Sequence, residues 1–216
     1  MYLLKKEQGF TLVELLMVVA IMGILASVSS VYYNYYRAKS KSTEAKLVLS
    51  SIYTSEEIMY NAFDMYSNCL DDMGFEMPAA SARHYAVGFP TITANIDPDT
   101  HNLAISNGLA VGSCPRDLAP SEGQTFFTAN TGAGSAVADA SAFAAAMTST
   151  SAALTVSGAE NVTNNFEGLG TQASIEERVF VVPAFGYINS EFISPSNGSL
   201  WTIDSNKLLK QHRKGF

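Results

Sequence analysis

Basic residues are almost missing from the middle of this sequence. Between Asp64 and Leu200 only Arg83, Arg116 and Arg178 carry positive charge, and the formal net charge of the chain is -7. A surface of that sign repels phosphate, so direct nucleic-acid binding by a single subunit is not expected. The signatures of catalysis are lacking as well. There is no Gly-rich phosphate loop ahead of a helix, no Gly-x-Ser-x-Gly elbow and no Cys or His cluster with zinc spacing. His84, His101 and His212 are far apart in the chain, and a scattered histidine is ordinarily a core or surface residue. No cofactor is implied, and the chain is read as a non-enzyme. With charged residues at 15% and hydrophobic ones at 47%, global disorder is excluded, and 216 residues leave room for one sizeable domain beside an apolar anchor.

Two further absences define the N-terminal part. No proline lies between Phe10 and Tyr66, and from Phe10 to Val31 the one charged residue is Glu14. A helix over that run would be about 33 Å long, enough to cross a hydrocarbon core of roughly 30 Å. Lys5 and Lys6 precede it in a short leader that ends at Gly9. An ordinary signal peptide is cut beyond its apolar region, whereas here the small residue stands in front of it. A carboxylate within a span is costly, so such a residue usually has a partner or a function. The plainer alternative is a carboxylate solvated at the headgroup level. Charge does not settle orientation, because Lys5 and Lys6 lie on one side and Arg37, Lys39 and Lys41 on the other.

The residues Gly9-Phe10-Thr11-Leu12-Val13-Glu14, followed by the unbroken apolar run, resemble the type III signal of prepilins. The groups Ser42-Thr43-Glu44-Ala45-Lys46, Ile52-Tyr53-Thr54-Ser55-Glu56-Glu57 and Tyr66 look like the matching helix of longer type IVa pilins. The resemblance implies cleavage between Gly9 and Phe10 by prepilin peptidase, N-methylation of Phe10 and an assembly role for Glu14. It implies an α+β type IV pilin fold, with a long N-terminal helix whose first half is transmembrane and an antiparallel sheet packed on its second half. The corresponding division is residues 1–9 as leader, 10–36 as transmembrane and filament-core helix, and 37–216 as periplasmic or extracellular domain. The implied partners are other copies of the chain in a homopolymer, the prepilin peptidase, an inner-membrane assembly platform with a separate ATPase, and an outer-membrane secretin. The precursor would sit in the inner membrane with its N-terminus in the cytoplasm, and the product on the cell surface as a filament for twitching motility, adhesion or cell invasion.

Three features bear on this resemblance. Family members often carry a proline at the position of Val31; here Val31 keeps its amide hydrogen, and Gly23, Ser27, Ser29 and Ser30 are what could loosen the helix. No cysteine follows Cys114, so the family's C-terminal disulfide loop and its adhesive roles are not carried over. Cys69 and Cys114 would face an oxidising compartment if exported, and a bridge between them is expected. Such a bridge would contribute about 4 kcal/mol in the chain-entropy model. The alternative is two buried free thiols.

Beyond the span, Ala45, Leu49, Ile52, Met59, Phe63 and Tyr66 recur at steps of three and four, with Glu56 at the vacant position. One helix over residues 10–63 is predicted, ending near Asn61 to Asn68. Breakers then divide residues 68–120 into short candidate strands at 85–89, 91–96 and 103–106. Asp97-Pro98-Asp99-Thr100-His101 could suggest a metal, but Asp-Pro-Asp is simply turn chemistry. Residues 128–165, rich in Ala, Ser, Thr, Gly and Asn, read as an exposed loop with a short helix around 137–147. The clearest β signals are Arg178-Val179-Phe180-Val181-Val182, Phe185-Gly186-Tyr187-Ile188 and Leu200-Trp201-Thr202-Ile203, with a reversal at Asp204 to Asn206 into residues 207–211. Lys210, His212, Arg213 and Lys214 read as a solvated tail, or as a basic contact to a neighbour's acidic face.

Rival readings are a minor pilin or a type II secretion pseudopilin and, from another class, a membrane-anchored periplasmic binding or enzymatic domain. The calcium loop of major pseudopilins is not evident, since residues 188–199 hold only Glu191 as an acid.

Overall fold

The computed structural model describes residues 9–63, 66–67, 69–89, 122–129, 137, 139–148, 180–188 and 198–215. The candidate strands at 91–96 and 103–106, the Asp97 to His101 turn and Cys114 lie outside them. Two compact units emerge, Met1–Lys39 and Ser40–Phe216.

Helix α1 runs over Leu12–Phe63, as the proline-free, 3.6-periodic stretch predicts. In the first unit its large apolar side chains are exposed among the described residues. Every large apolar side chain described from Leu12 through Val28 is at least 46% exposed. By length and composition this helix can cross a membrane. The serines do not break it: Ser27 Oγ donates to the Ile24 carbonyl at 2.8 Å, within a continuous helix.

In the second unit α1 carries a buried stripe of Ser42, Ala45, Leu49, Ile52, Glu56 and Met59. The alternating steps of three and four keep one face turned to a core. The helix ends at Phe63, within the predicted zone.

The sheet has the order β2-β1-β3-β4-β5, every pair antiparallel. Its strands are β1 Ala86–Gly88, β2 Phe126–Phe127, β3 Val181–Gly186, β4 Ser199–Asp204 and β5 Leu209–Arg213. All residues of β3 and β4 are buried, because both faces of the sheet are covered. On one side Trp201 lies under Lys46 Nζ of α1, 4.7 Å from the ring centroid. On the other, the paired Phe185 and Leu200 join Ala86, Phe126, Ala129, Val137, Phe143 and Ala146 in one cluster. Phe143 and Ala146 come from α2, Ala140–Thr148, the short helix predicted in the Ala-rich stretch. Asp139 caps it, accepting from the Ala142 amide at 2.7 Å.

Pro183 is tolerated in the central strand because the β1 ladder stops at Val87↔Ala184 and does not reach it. Gly88 ends β1 with φ +115, and a Cβ there would meet the Thr125 carbonyl oxygen at 2.6 Å. Only glycine allows β2 this close.

One expectation is corrected. Lys210, His212 and Arg213 are not a solvated tail but belong to β5, which is hydrogen-bonded along β4. Arg213 Nε donates to the Gly198 carbonyl at 2.7 Å, and its guanidinium lies 5.6 Å from the Phe185 ring centroid. His212 Nε2 lies 2.8 Å from Thr202 Oγ1, and burial, helped by Lys210, pushes its pKa down to about 4. The basic residues at this end are therefore pinned by strand pairing and local partners that their charge alone did not suggest.

Candidate functional site

The site to be built is the start of α1, because three of the residues singled out in the sequence lie there within six positions. Gly9 and Phe10 precede the helix in irregular, exposed backbone, and Phe10 is 90% exposed. Thr11 then starts the helix as its N-cap. A helix leaves its first amides without partners, and Thr11 with Glu14 forms a reciprocal capping box that meets this need. The Thr11 amide donates to Glu14 Oε2 at 2.8 Å, Thr11 Oγ1 donates to the same oxygen at 2.8 Å, and the Glu14 amide donates to Thr11 Oγ1 at 3.3 Å. The carboxylate is also well placed against the positive end of the helix dipole. Both Thr11 donors use Oε2, and among the described residues Oε1 is left open to a further donor. Chemically, the arrangement is an oriented, exposed carboxylate on an apolar rod, able to accept a cation.

Sequence reasoning found Glu14 but missed Thr11. The Thr-x-x-Glu spacing was a legible signal.

Cys69 lies in the turn after α1, 2% exposed. Its amide donates to Ser67 Oγ at 3.0 Å, and its Sγ accepts from the Asp72 amide at 3.3 Å. Its expected partner, Cys114, is outside the described residues.

Two acids of α1 tie the second unit together. Glu44 accepts from the His84 amide at 2.8 Å and the Tyr85 amide at 3.2 Å, and its Oε2 lies 2.9 Å from His84 Nδ1. Glu56 occupies the core stripe with no exposure, and its Oε2 accepts from the Ser67 amide at 3.0 Å while Oε1 has no partner among the described residues. Burial pushes its pKa up to about 8, so Glu56 is largely protonated at neutral pH. The sequence placed Glu56 on this face. For Glu44, nothing in the sequence pointed to its partners, which are mostly backbone amides.

Comparison with known proteins points the same way. The family model described as "Prokaryotic N-terminal methylation motif" matches residues 4–30. The chain is 35% identical over 99 residues to the type IV major pilin protein PilA of Myxococcus xanthus, which covers 46% of this chain and 43% of that protein. Two fimbrial proteins of Pseudomonas aeruginosa are each 43% identical over 54 residues, covering 25% of this chain and 35% of each relative. The match thus spans less than half the length of the curated relatives. With its capped, exposed apolar helix and its five-stranded antiparallel sheet, the chain carries the prokaryotic N-terminal methylation motif on an α+β architecture consistent with the type IV pilin fold.

Proposed function

We propose that this chain is the structural subunit of a type IV pilus. It is cut between Gly9 and Phe10 by prepilin peptidase, methylated on Phe10, and polymerised through its N-terminal helices into a surface filament. The observation that carries this reading is the pairing of an exposed apolar helical segment with one oriented carboxylate at its start. Residues 10–36 act first as the inner-membrane anchor, with the leader of residues 1–9 in the cytoplasm, and then as filament core, while residues 37–216 form the outer domain. Leaving the bilayer requires replacement contacts, because the large apolar side chains described from Leu12 to Val28 are exposed. Neighbouring copies of the same helix supply them.

In the assembly step, the Phe10 amine of an incoming subunit pairs with the open Oε1 of Glu14 on a neighbour. The chain supplies structure and no catalysis, so the energy for extension comes from a separate ATPase on the assembly platform, and the filament leaves through an outer-membrane secretin. Twitching motility, adhesion or cell invasion is the work of the polymer. Deleting the gene tests the reading: surface filaments should vanish under electron microscopy and return with the gene on a plasmid. Normal filaments in the deletion strain would assign the chain to a minor or capping role.

The buried position of Cys69 supports a Cys69–Cys114 bridge in the outer domain. Without reductant, the unfolded protein should take up no thiol reagent, and each single Cys→Ser variant should lose stability by a similar amount, about 2–5 kcal/mol. Two reactive thiols in the unreduced protein would refute the bridge.

A further inference from the structure

The tyrosines that follow the apolar run belong neither to the capping box nor to the sheet. Tyr32, Tyr33, Tyr35 and Tyr36 stand within five consecutive residues of α1 and are 59%, 66%, 48% and 61% exposed. At 3.6 residues per turn their side chains leave the helix over an arc of about 160°. A packing face is narrower and repeats along the axis, as the stripe from Ser42 to Met59 does; these four form a short collar instead. Before the collar the large residues are apolar, ending with Leu25, Val28 and Val31, and after it come Arg37 and Lys39. The order along the axis is therefore apolar, amphipathic, cationic.

The spacing gives the collar a place. Tyr32 lies about 33 Å along the axis from Phe10, at the far boundary of a hydrocarbon core of roughly 30 Å. A tyrosine ring has an apolar body and a polar tip, which suits the headgroup layer better than either bulk phase. We propose that Tyr32, Tyr33, Tyr35 and Tyr36 form an interfacial collar seated in the headgroup layer of the outer leaflet of the inner membrane. Arg37 lies beside the lipid phosphates, and the collar fixes the depth of the anchored subunit before assembly. The occupant is a phospholipid surface. This inference rests on the membrane-spanning reading of residues 10–31.

The test uses the full-length chain in vesicles of phosphatidylethanolamine and phosphatidylglycerol. Tyr33→Trp places a fluorophore in the collar and Val19→Trp one at mid-span, with the Trp201 signal of the unsubstituted chain subtracted. Headgroup-attached nitroxide should quench Tyr33→Trp at least ~3-fold more than mid-chain bromine does, and Val19→Trp should show the reverse. Quenching of Tyr33→Trp mainly by bromine would put the ring in hydrocarbon. Quenching by neither would put it in water or against another copy. Either result overturns the collar while a bromine-quenched Val19→Trp keeps the span. If Val19→Trp escapes bromine, the span itself fails and the collar with it.

Discussion

Cells carrying Glu14→Ala are expected to insert the subunit into the membrane at normal levels and to yield at least ~100-fold fewer sheared filaments. Removing one member of a buried charge pair costs about 3–5 kcal/mol, equivalent to roughly a hundredfold to several thousandfold at each subunit addition. Two roles meet at Glu14, the capping role that the structure shows and the pairing role proposed above. As the acid of the capping box it stabilises its own helix start through Thr11. As the open carboxylate it can receive an amine. Glu14→Gln keeps a capping acceptor at this position but removes the charge, and should fail as Glu14→Ala does. Thr11→Ala removes the cap and keeps the charge, and should reduce filament yield by no more than about tenfold. Filament yield from Glu14→Gln close to normal would show that the charge pairing is wrong.

The second large effect concerns Glu56. Its folded pKa of about 8 lies above the ordinary carboxyl value of 4.5, so between those values the native protein holds a proton that the unfolded chain releases. Stability contributed by this group is therefore fully present below the unfolded pKa and lost as pH rises toward the folded one, at about 1.4 kcal/mol per pH unit. Glu56→Gln abolishes this titration and keeps an oxygen for the Ser67 amide. Any cost of burying the extra amide hydrogens is constant with pH. Between about pH 5 and pH 7.5 the variant should therefore gain about 3 kcal/mol relative to the unsubstituted protein, equivalent to about 6–12 °C in Tm for a unit of this size. Thermal melts of the two proteins across that range, in the same detergent, give the comparison. Parallel profiles would mean that Glu56 is not the buried proton carrier.

Much of this architecture was legible in the residues because it rests on local periodicity. The proline-free run predicted α1, and the three-and-four spacing placed Ala45, Leu49, Ile52 and Met59 on its buried face, with Glu56 among them. The alternating and continuous apolar runs around Phe180 to Phe185 and Leu200 to Ile203 became β3 and β4. What escaped depended on partners distant in sequence. β2 has only two residues and exists through its pairing with β1, which no two-residue pattern announces. Arg213 is fixed by the Gly198 carbonyl and the Phe185 ring, so a basic terminal stretch became an edge strand. Glu44 works through the amides of His84 and Tyr85, and backbone amides leave no trace in side-chain identity. At the candidate site the residues were easier to single out, since Gly9, Phe10 and Glu14 lie within six positions of one another at the start of α1.

The most direct measurement is the mass and N-terminal sequence of the principal protein in sheared surface filaments. The account predicts a chain beginning at Phe10, lacking residues 1–9 and carrying one methyl group on its terminal nitrogen. A filament protein that still begins at Met1 would contradict it, because no free amine would then stand beside Glu14 to join one subunit to the next.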